Sequence, residues 1–194
     1  MREELIGQLE EYVPFCPQEE RDRECILRLL RTRPDVFLRE DLLCHMTASA
    51  WTVDRRAERV LMAYHNLYRS YSWLGGHADG EEDLLRVALR EVTEESGITR
   101  VRPLTEKIFS LEILTVDGHE KRGVYVPSHL HLNVTYLLEA DEREPLKVKA
   151  DENSALEWFT PEDAVKSSSE PWFRERIYKK LNRKLELFRK EEKR

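Results

Sequence analysis

The sequence is poor in cysteine and has no long apolar run. Its three cysteines, Cys16, Cys25 and Cys44, include no C-x-x-C pair, so they predict reduced thiols rather than a disulfide framework or a zinc knuckle. No segment approaches the roughly 20 apolar residues that span a membrane. The first residues, MREELIGQLEEY, carry acids where a secretory signal has an apolar run. We therefore expect a cytoplasmic protein without a membrane partner.

Positive charge is not in excess either. The formal net charge of −6 argues against a surface built to attract polyanions, so nucleic acid is not an expected partner. The last segment, 174–194, is a local exception, with ten basic and four acidic residues. We interpret it as the solvated face of a helix, the alternative being a surface that binds an acidic partner or RNA.

Apolar periodicity predicts helices at both ends of the chain. Apolar residues recur at helical spacing before Pro14, and a second helix is predicted to open at Pro17 and to stop before Pro34. An amphipathic C-terminal helix is predicted from the apolar spacing of Phe173, Ile177, Leu181, Leu185 and Phe188. A short helix, EDAVKS, is predicted after Pro161.

The centre of the chain reads differently. The runs TASAWTV, RVLMAYH, IFSLEILTV and HLHLNVTYLLEA predict strands, and residues 83–96 predict a helix. Because strands flank the helix rather than alternate regularly with helices, we expect an α/β chain with an α+β mixed sheet. The segment DGHEKRGVYVPS is predicted to be a loop, either a substrate loop or a plain connection.

One stretch, GHADGEEDLLRVALREVTEESGI at 76–98, carries acidic residues at helical spacing. Each helical residue turns about 100°, so Glu91 and Glu95 share a face, with Glu94 about 60° round from Glu91. Such carboxylates repel one another unless a dication binds them. Hard oxygen donors, with no His or Cys at metal-ligand spacing, favour Mg²⁺, with Mn²⁺ as the alternative. Arg90 is predicted to orient a carboxylate through paired hydrogen bonds.

This stretch resembles the Nudix box, G-x5-E-x7-R-E-U-x-E-E-x-G-U with U aliphatic. Every defined position is filled, by Gly76, Glu82, Arg90, Glu91, Val92, Glu94, Glu95, Gly97 and Ile98. The resemblance implies an α/β/α sandwich, here with N- and C-terminal helical extensions. It also implies a hydrolase that cuts a phosphoanhydride bond in a nucleoside-diphosphate-linked or related small molecule. For Glu82 itself we favour a helix-start role, supported by the helix dipole, over metal ligation.

Carried over residue by residue, the resemblance implies metal binding by Glu91, Glu94 and Glu95 and by the carbonyl of Gly75. In DENSALEWF it makes Glu152 the candidate for an additional metal ligand or general base, with Glu157 the weaker choice.

We predict three regions: an N-terminal helical extension over 1–44, the Nudix hydrolase domain over 45–168, and a C-terminal helix packed on that domain over 169–194.

The predicted substrate contacts are His77, Arg122, Tyr125 and His131. Because His129 and His131 lie two apart on a strand, they share a face and reach either substrate or metal. No third ligand is evident, so structural hydrogen bonding is favoured for this pair. Trp73 and Phe109 are further candidates for stacking on a base.

Other functions and assemblies stay open at this point. The expected partner is a small diphosphate substrate, with a monomer or a homodimer as the assembly. One competing function is a regulator that binds a nucleotide or nucleotide sugar without turnover. An isomerase of the isopentenyl diphosphate type ranks lower, because all three cysteines precede the box.

Overall fold

The structure is a computed structural model that describes residues 1–121, 123–149 and 153–192. The α-helices are α1 Arg2–Glu11, α2 Pro17–Thr32, α3 Leu84–Ser96, α4 Pro161–Ser167 and α5 Lys179–Glu191. The strands are β1 Cys44–Val53, β2 Val60–His65, β3 Ser70–Ser72, β4 Leu74–His77, β5 Val101–Pro103, β6 Ser110–Val116, β7 His119–Lys121, β8 Val124–Val126, β9 His129–Ala140 and β10 Asn153–Phe159. The predicted mixed α/β fold class is confirmed.

Two compact units make up the chain. The first comprises Met1–Ser49, Gly75–Ala88 and Glu106–Tyr136, and the second comprises Ala50–Leu74, Leu89–Thr105 and Leu137–Arg194. Within the described residues, no helix combines the length and the apolar content that crossing a membrane requires.

The N-terminal helices of the first unit follow the predicted signals. Helix α1 buries Leu5, Ile6 and Leu9. Helix α2 begins with Pro17 in its first turn, where the missing N–H costs nothing, and ends one residue before the Arg33–Pro34 bond. Its Asp22 carboxylate accepts the backbone N–H of Ile113 on β6 at 3.2 Å, which ties this helix to the sheet.

In the first unit, β9 pairs antiparallel with β6, from Ser110 opposite Thr135 to Val116 opposite His129. Strand β4 pairs with the first half of β1. Between β6 and β9 the predicted loop is wrong in part, because β7 and β8 form a two-stranded hairpin there. The β-prone run Val124–Val126 supports strand formation, and Gly123, with φ of 78°, permits the tight turn.

In the second unit, β10, β2 and the end of β1 lie side by side, β3 pairs with β2, and β5 pairs with the end of β9. Thr160 caps α4 by accepting the backbone N–H of Asp163 at 3.1 Å. The C-terminal helix is confirmed and buries its predicted apolar residues Ile177, Leu181 and Leu185. Its first part, Phe173–Tyr178, is π-helical, with Lys179 N–H bonded to the carbonyl of Arg174.

Candidate active site

Helix α3 carries Glu91, Glu94 and Glu95, and it confirms the helix predicted over 83–96. Its apolar side chains Leu84, Val87, Ala88 and Val92 are buried. Two of its glutamates are also largely buried, with Glu91 8% and Glu95 6% exposed, whereas the Glu94 side chain is half exposed. Buried carboxylates are costly unless they are paired or coordinate a cation, so this helix face requires a positive partner.

Arg90 supplies part of that positive charge. One of its terminal nitrogens donates to Glu91 Oε1 at 2.8 Å, and its Nε lies 3.9 Å from Glu94 Oε1. The guanidinium therefore faces two of the three glutamates, and its hydrogen bond fixes the direction of the Glu91 carboxylate. The orienting role of Arg90 through paired hydrogen bonds stays a prediction.

The glycine that precedes α3 has a packing reason. A Cβ on Gly75 would lie 2.5 Å from the Ala48 carbonyl oxygen and 2.7 Å from Ser49 Cα, so no larger residue fits beside β1. Gly75 and Gly76 both lie in strand β4. The missing side chain of Gly75 therefore allows β4 to lie close to β1.

The glycine that follows α3 ends the helix. Gly97 has φ of 72°, the left-handed conformation common after a helix C-terminus, and its N–H bonds to the Thr93 carbonyl at 2.9 Å. A Cβ there would also lie 2.8 Å from the Lys147 side chain.

At the start of α3, Glu82 and Asp83 have different contacts. Asp83 accepts the backbone N–H of Arg86 at 3.1 Å and caps the first turn. Glu82 accepts the backbone N–H of Arg2 at 2.9 Å, which sequence spacing does not reveal because 80 residues separate them. Asp83 thus has a helix-start role, whereas the helix-start interpretation of Glu82 stays a prediction.

A histidine cluster, defined as His45, His77, His129 and His131, lies in the first unit. Ring centroids are 5.1 Å apart for His45 and His77, 5.0 Å for His45 and His131, and 4.9 Å for His77 and His131. His129 lies beside them, with its Nε2 3.2 Å from Nε2 of His131. The expectation that nothing supplies a third ligand to His129 and His131 is wrong, because β1 and β4 bring His45 and His77 to them.

Two rings of the cluster, His45 and His129, are buried and contact backbone carbonyls. His45 Nδ1 lies 3.0 Å from the carbonyl oxygen of Asp41, and His129 Nδ1 lies 2.8 Å from that of Pro127. Burial lowers the pKa of His45. Burial, reinforced by the neighbouring His77 and His45, lowers the pKa of His131 to about 2. Both rings are therefore neutral at physiological pH.

A buried polar network joins side chains of β1, β6 and β9. Asn133 Oδ1 accepts the Thr47 hydroxyl at 3.0 Å and the Ser49 hydroxyl at 2.8 Å, and its amide donates to Glu112 at 3.1 Å. The Ser110 hydroxyl then links Glu112 to Glu19 of α2. Alternating polar residues in NVT on β9 and SLE on β6 were the available signal.

The remaining predicted site residues differ in how exposed they are. Tyr125 lies on β8 and is 68% exposed, so it is available to a ligand. Trp73 and Phe109 are buried, which removes the stacking role considered for them. Glu157, the weaker base candidate, is exposed and accepts the Tyr71 hydroxyl. Arg122 and Glu152 lie outside the described residues.

The family model for the NUDIX domain matches residues 44–181 of this chain. No curated protein matches it. Among solved structures, a Caenorhabditis elegans Ap4A hydrolase complex aligns with a TM-score of 0.50 and 18% identity, covering 74% of this chain and 96% of that chain. A NUDIX family hydrolase from Clostridium perfringens aligns with a TM-score of 0.50 and 22% identity, covering 74% and 97%.

A third solved structure, the Escherichia coli dihydroneopterin triphosphate pyrophosphohydrolase, aligns with a TM-score of 0.50 and 15% identity, covering 69% of this chain and 92% of that chain. At such identities these three likenesses concern the fold, and they confirm the fold expected from the 76–98 stretch. The substrates in their names belong to those proteins.

Proposed function

The chain belongs to the NUDIX domain family as a Nudix hydrolase, and from that premise we propose that it uses a divalent metal to hydrolyse a phosphoanhydride bond. The substrate class we propose is a nucleoside-diphosphate-linked or related small molecule. The observation that carries the proposal is the carboxylate face of α3, where Glu91, Glu94 and Glu95 lie within one turn and Arg90 holds Glu91.

The donor set fits Mg²⁺, with Mn²⁺ as the alternative. Glu91 and Glu95 are more than nine-tenths buried on the helix that also carries Glu94, and Arg90 contacts Glu91 and Glu94. Carboxylate oxygens are the ligands that hard dications prefer. We propose that these three glutamates hold the metal, together with the carbonyl of Gly75, which the family resemblance implies. A bound dication would neutralise phosphate oxygens and lower the pKa of a coordinated water.

The chain's own residues would divide the remaining work. Arg90 keeps the Glu91 carboxylate in one orientation, so that the helix presents a preorganised acidic face. We propose Glu152 as the general base that takes a proton from the attacking water. Substrate contacts are proposed for His77, Arg122, Tyr125 and His131. His77 and His131 lie in one cluster, and Tyr125 lies on the exposed hairpin.

The cellular location, the oligomeric state and the domain bounds are also proposals. We propose a cytoplasmic enzyme, monomeric or homodimeric, that acts on a small molecule rather than on nucleic acid. We likewise keep the three predicted regions, with the hydrolase domain over 45–168 between helical extensions.

The decisive experiment is a turnover assay on the full chain with Mg²⁺ and a panel of nucleoside triphosphates, nucleotide sugars, dinucleoside polyphosphates and coenzymes. We expect release of a nucleotide or phosphate from at least one class and its loss with excess chelator. No release from any class, with the protein folded, would overturn the proposal.

Glu95→Gln tests the metal assignment, because it removes a charge while nearly preserving shape. We expect kcat/KM to fall by at least about 100-fold, as for loss of a group that stabilises the transition state. Glu106→Gln, at an exposed glutamate, is the matched control and should stay within twofold of wild type. Activity of Glu95→Gln within a few-fold of wild type would contradict the assignment.

A further inference from the structure

We propose that His45, His77 and His131 form a second metal site, which takes a borderline transition-metal ion such as Zn²⁺. Each of the three offers one ring nitrogen, and these nitrogens all lie within 4.8 Å of one another. The site uses residues different from the glutamates of α3, and it does not depend on the function proposed above.

The spacing of the rings fits coordination. With Zn–N bonds of about 2.0–2.1 Å and tetrahedral angles, ligand nitrogens lie about 3.4 Å apart and ring centroids about 5.2 Å apart. The three centroid separations here are 5.1, 5.0 and 4.9 Å. The ring separations are therefore compatible with coordination, and the ligand nitrogens, which lie within 4.8 Å of one another, would approach to about 3.4 Å when an ion binds.

His45 has the orientation of a ligand held ready. A carbonyl oxygen only accepts, so the contact with Asp41 places the proton on His45 Nδ1 and the lone pair on Nε2. That Nε2 is buried and has no hydrogen-bond partner among the described residues. Metal-binding histidines commonly donate their other N–H to a carbonyl in this way, and a lone pair left unpaired in the interior is costly.

His129 orients His131 and is not one of the three proposed ligands. Its Nδ1 donates to the Pro127 carbonyl, so its Nε2 accepts from Nε2 of His131. In the neutral His131 ring, Nδ1 then carries the lone pair. Two of the three proposed ligands, His45 and His131, thus have the proton on one ring nitrogen, which is hydrogen-bonded within the protein. Their other ring nitrogen carries the lone pair that coordinates a metal.

The chemistry favours a metal over a directly bound phosphate. A phosphate needs positive charge or N–H donors, whereas burial keeps His45 and His131 neutral, and His45 directs a lone pair inward. Neutral imidazoles suit Zn²⁺, Cu²⁺ or Ni²⁺ better than Mg²⁺. Three protein ligands leave the fourth tetrahedral position open to water or to an anionic oxygen.

The test measures zinc bound to the full chain, produced without a polyhistidine tag and dialysed against Zn²⁺ in the presence of millimolar Mg²⁺. We expect one tightly bound zinc per chain. The double variant His45→Gln/His131→Gln should lose it, and His65→Gln, at a half-buried histidine on β2, should keep it. The triple variant Glu91→Gln/Glu94→Gln/Glu95→Gln should also keep it, which separates this site from the carboxylates.

Histidine ring ¹⁵N resonances of the wild-type protein give a readout that needs no variant to fold. Zinc should shift the resonances of His45, His77 and His131 strongly and leave those of His65 and His119 in place. The proposal is overturned if zinc moves none of the three. It is also overturned if His65→Gln loses as much zinc as the double variant, or if inorganic phosphate shifts these rings and zinc does not.

Discussion

Replacing Ser110 by alanine should destabilise the protein through two buried carboxylates. Ser110 lies on β6 and is fully buried, and its hydroxyl lies 2.8 Å from Glu19 Oε1 and 2.5 Å from Glu112 Oε1. Both glutamates are fully buried. Because the hydroxyl has one proton, it donates to only one of the two carboxylates at a time.

The size of the destabilisation follows from the hydrogen bonds that each glutamate keeps in the variant. Glu19 keeps the Tyr12 hydroxyl at 2.6 Å and the Phe15 N–H at 2.7 Å, and Glu112 keeps donors from Asn133 and Thr135. The variant therefore loses a hydrogen bond to a charged group, but each carboxylate keeps other hydrogen-bond donors. Such a loss costs about 1.5–3 kcal/mol of the free energy of unfolding.

Urea denaturation at pH 7, followed by tryptophan fluorescence, measures this loss as a lower midpoint with an unchanged slope. Thr115→Ala, at an exposed position of the same strand, is the control and should change the free energy of unfolding by less than about 0.5 kcal/mol. If Ser110→Ala is as mild as Thr115→Ala, the hydroxyl does not support the buried carboxylates and the reasoning is wrong.

Four further substitutions test other features of the structure. Arg90→Lys keeps the charge but loses the directed guanidinium contact with Glu91, so kcat/KM should fall about tenfold in the turnover assay while urea stability changes little. Gly97→Ala forces a side chain into the left-handed conformation and should cost about 1–2 kcal/mol in urea denaturation. Gly7→Ala, in α1 with open space around it, should stabilise by about 0.5–1 kcal/mol. Hydrogen bonds from Thr99 and Arg100 lower the pKa of Glu144 to about 2, so its stabilisation is present above pH 4.5 and lost as pH falls to 2. The Tm difference between wild type and Glu144→Gln should close over that window.

Local periodicity explains which parts of the fold and of the candidate site were predictable. Helix α3, its buried face and the place of Glu91 and Glu95 follow from residues one turn apart in the chain. The Gly97 helix end follows from one residue's backbone preference. The β7–β8 hairpin was missed because glycine, proline and charges dominate that segment, although its Val124–Val126 run carried a strand signal.

Contacts between distant segments were not predictable in the same way. His45 and His131 are 86 residues apart in the chain, and Ser110 and Glu19 are 91 apart. The first pair meets because β1 pairs with β9, and the second because α2 lies beside β6. No spacing rule contains those two facts, so the sequence carried no signal that these residues meet.

The two proposed donor sets demand different metals, and this difference constrains how activity should be interpreted. A chelator that abolishes turnover removes ions from both sets, so it identifies neither. Carboxylates prefer Mg²⁺ or Mn²⁺, whereas neutral imidazoles prefer zinc-like ions. Apo protein restored by Mg²⁺ alone would therefore place the chemistry on α3, and a requirement for zinc in addition to Mg²⁺ would bring the histidines into the reaction.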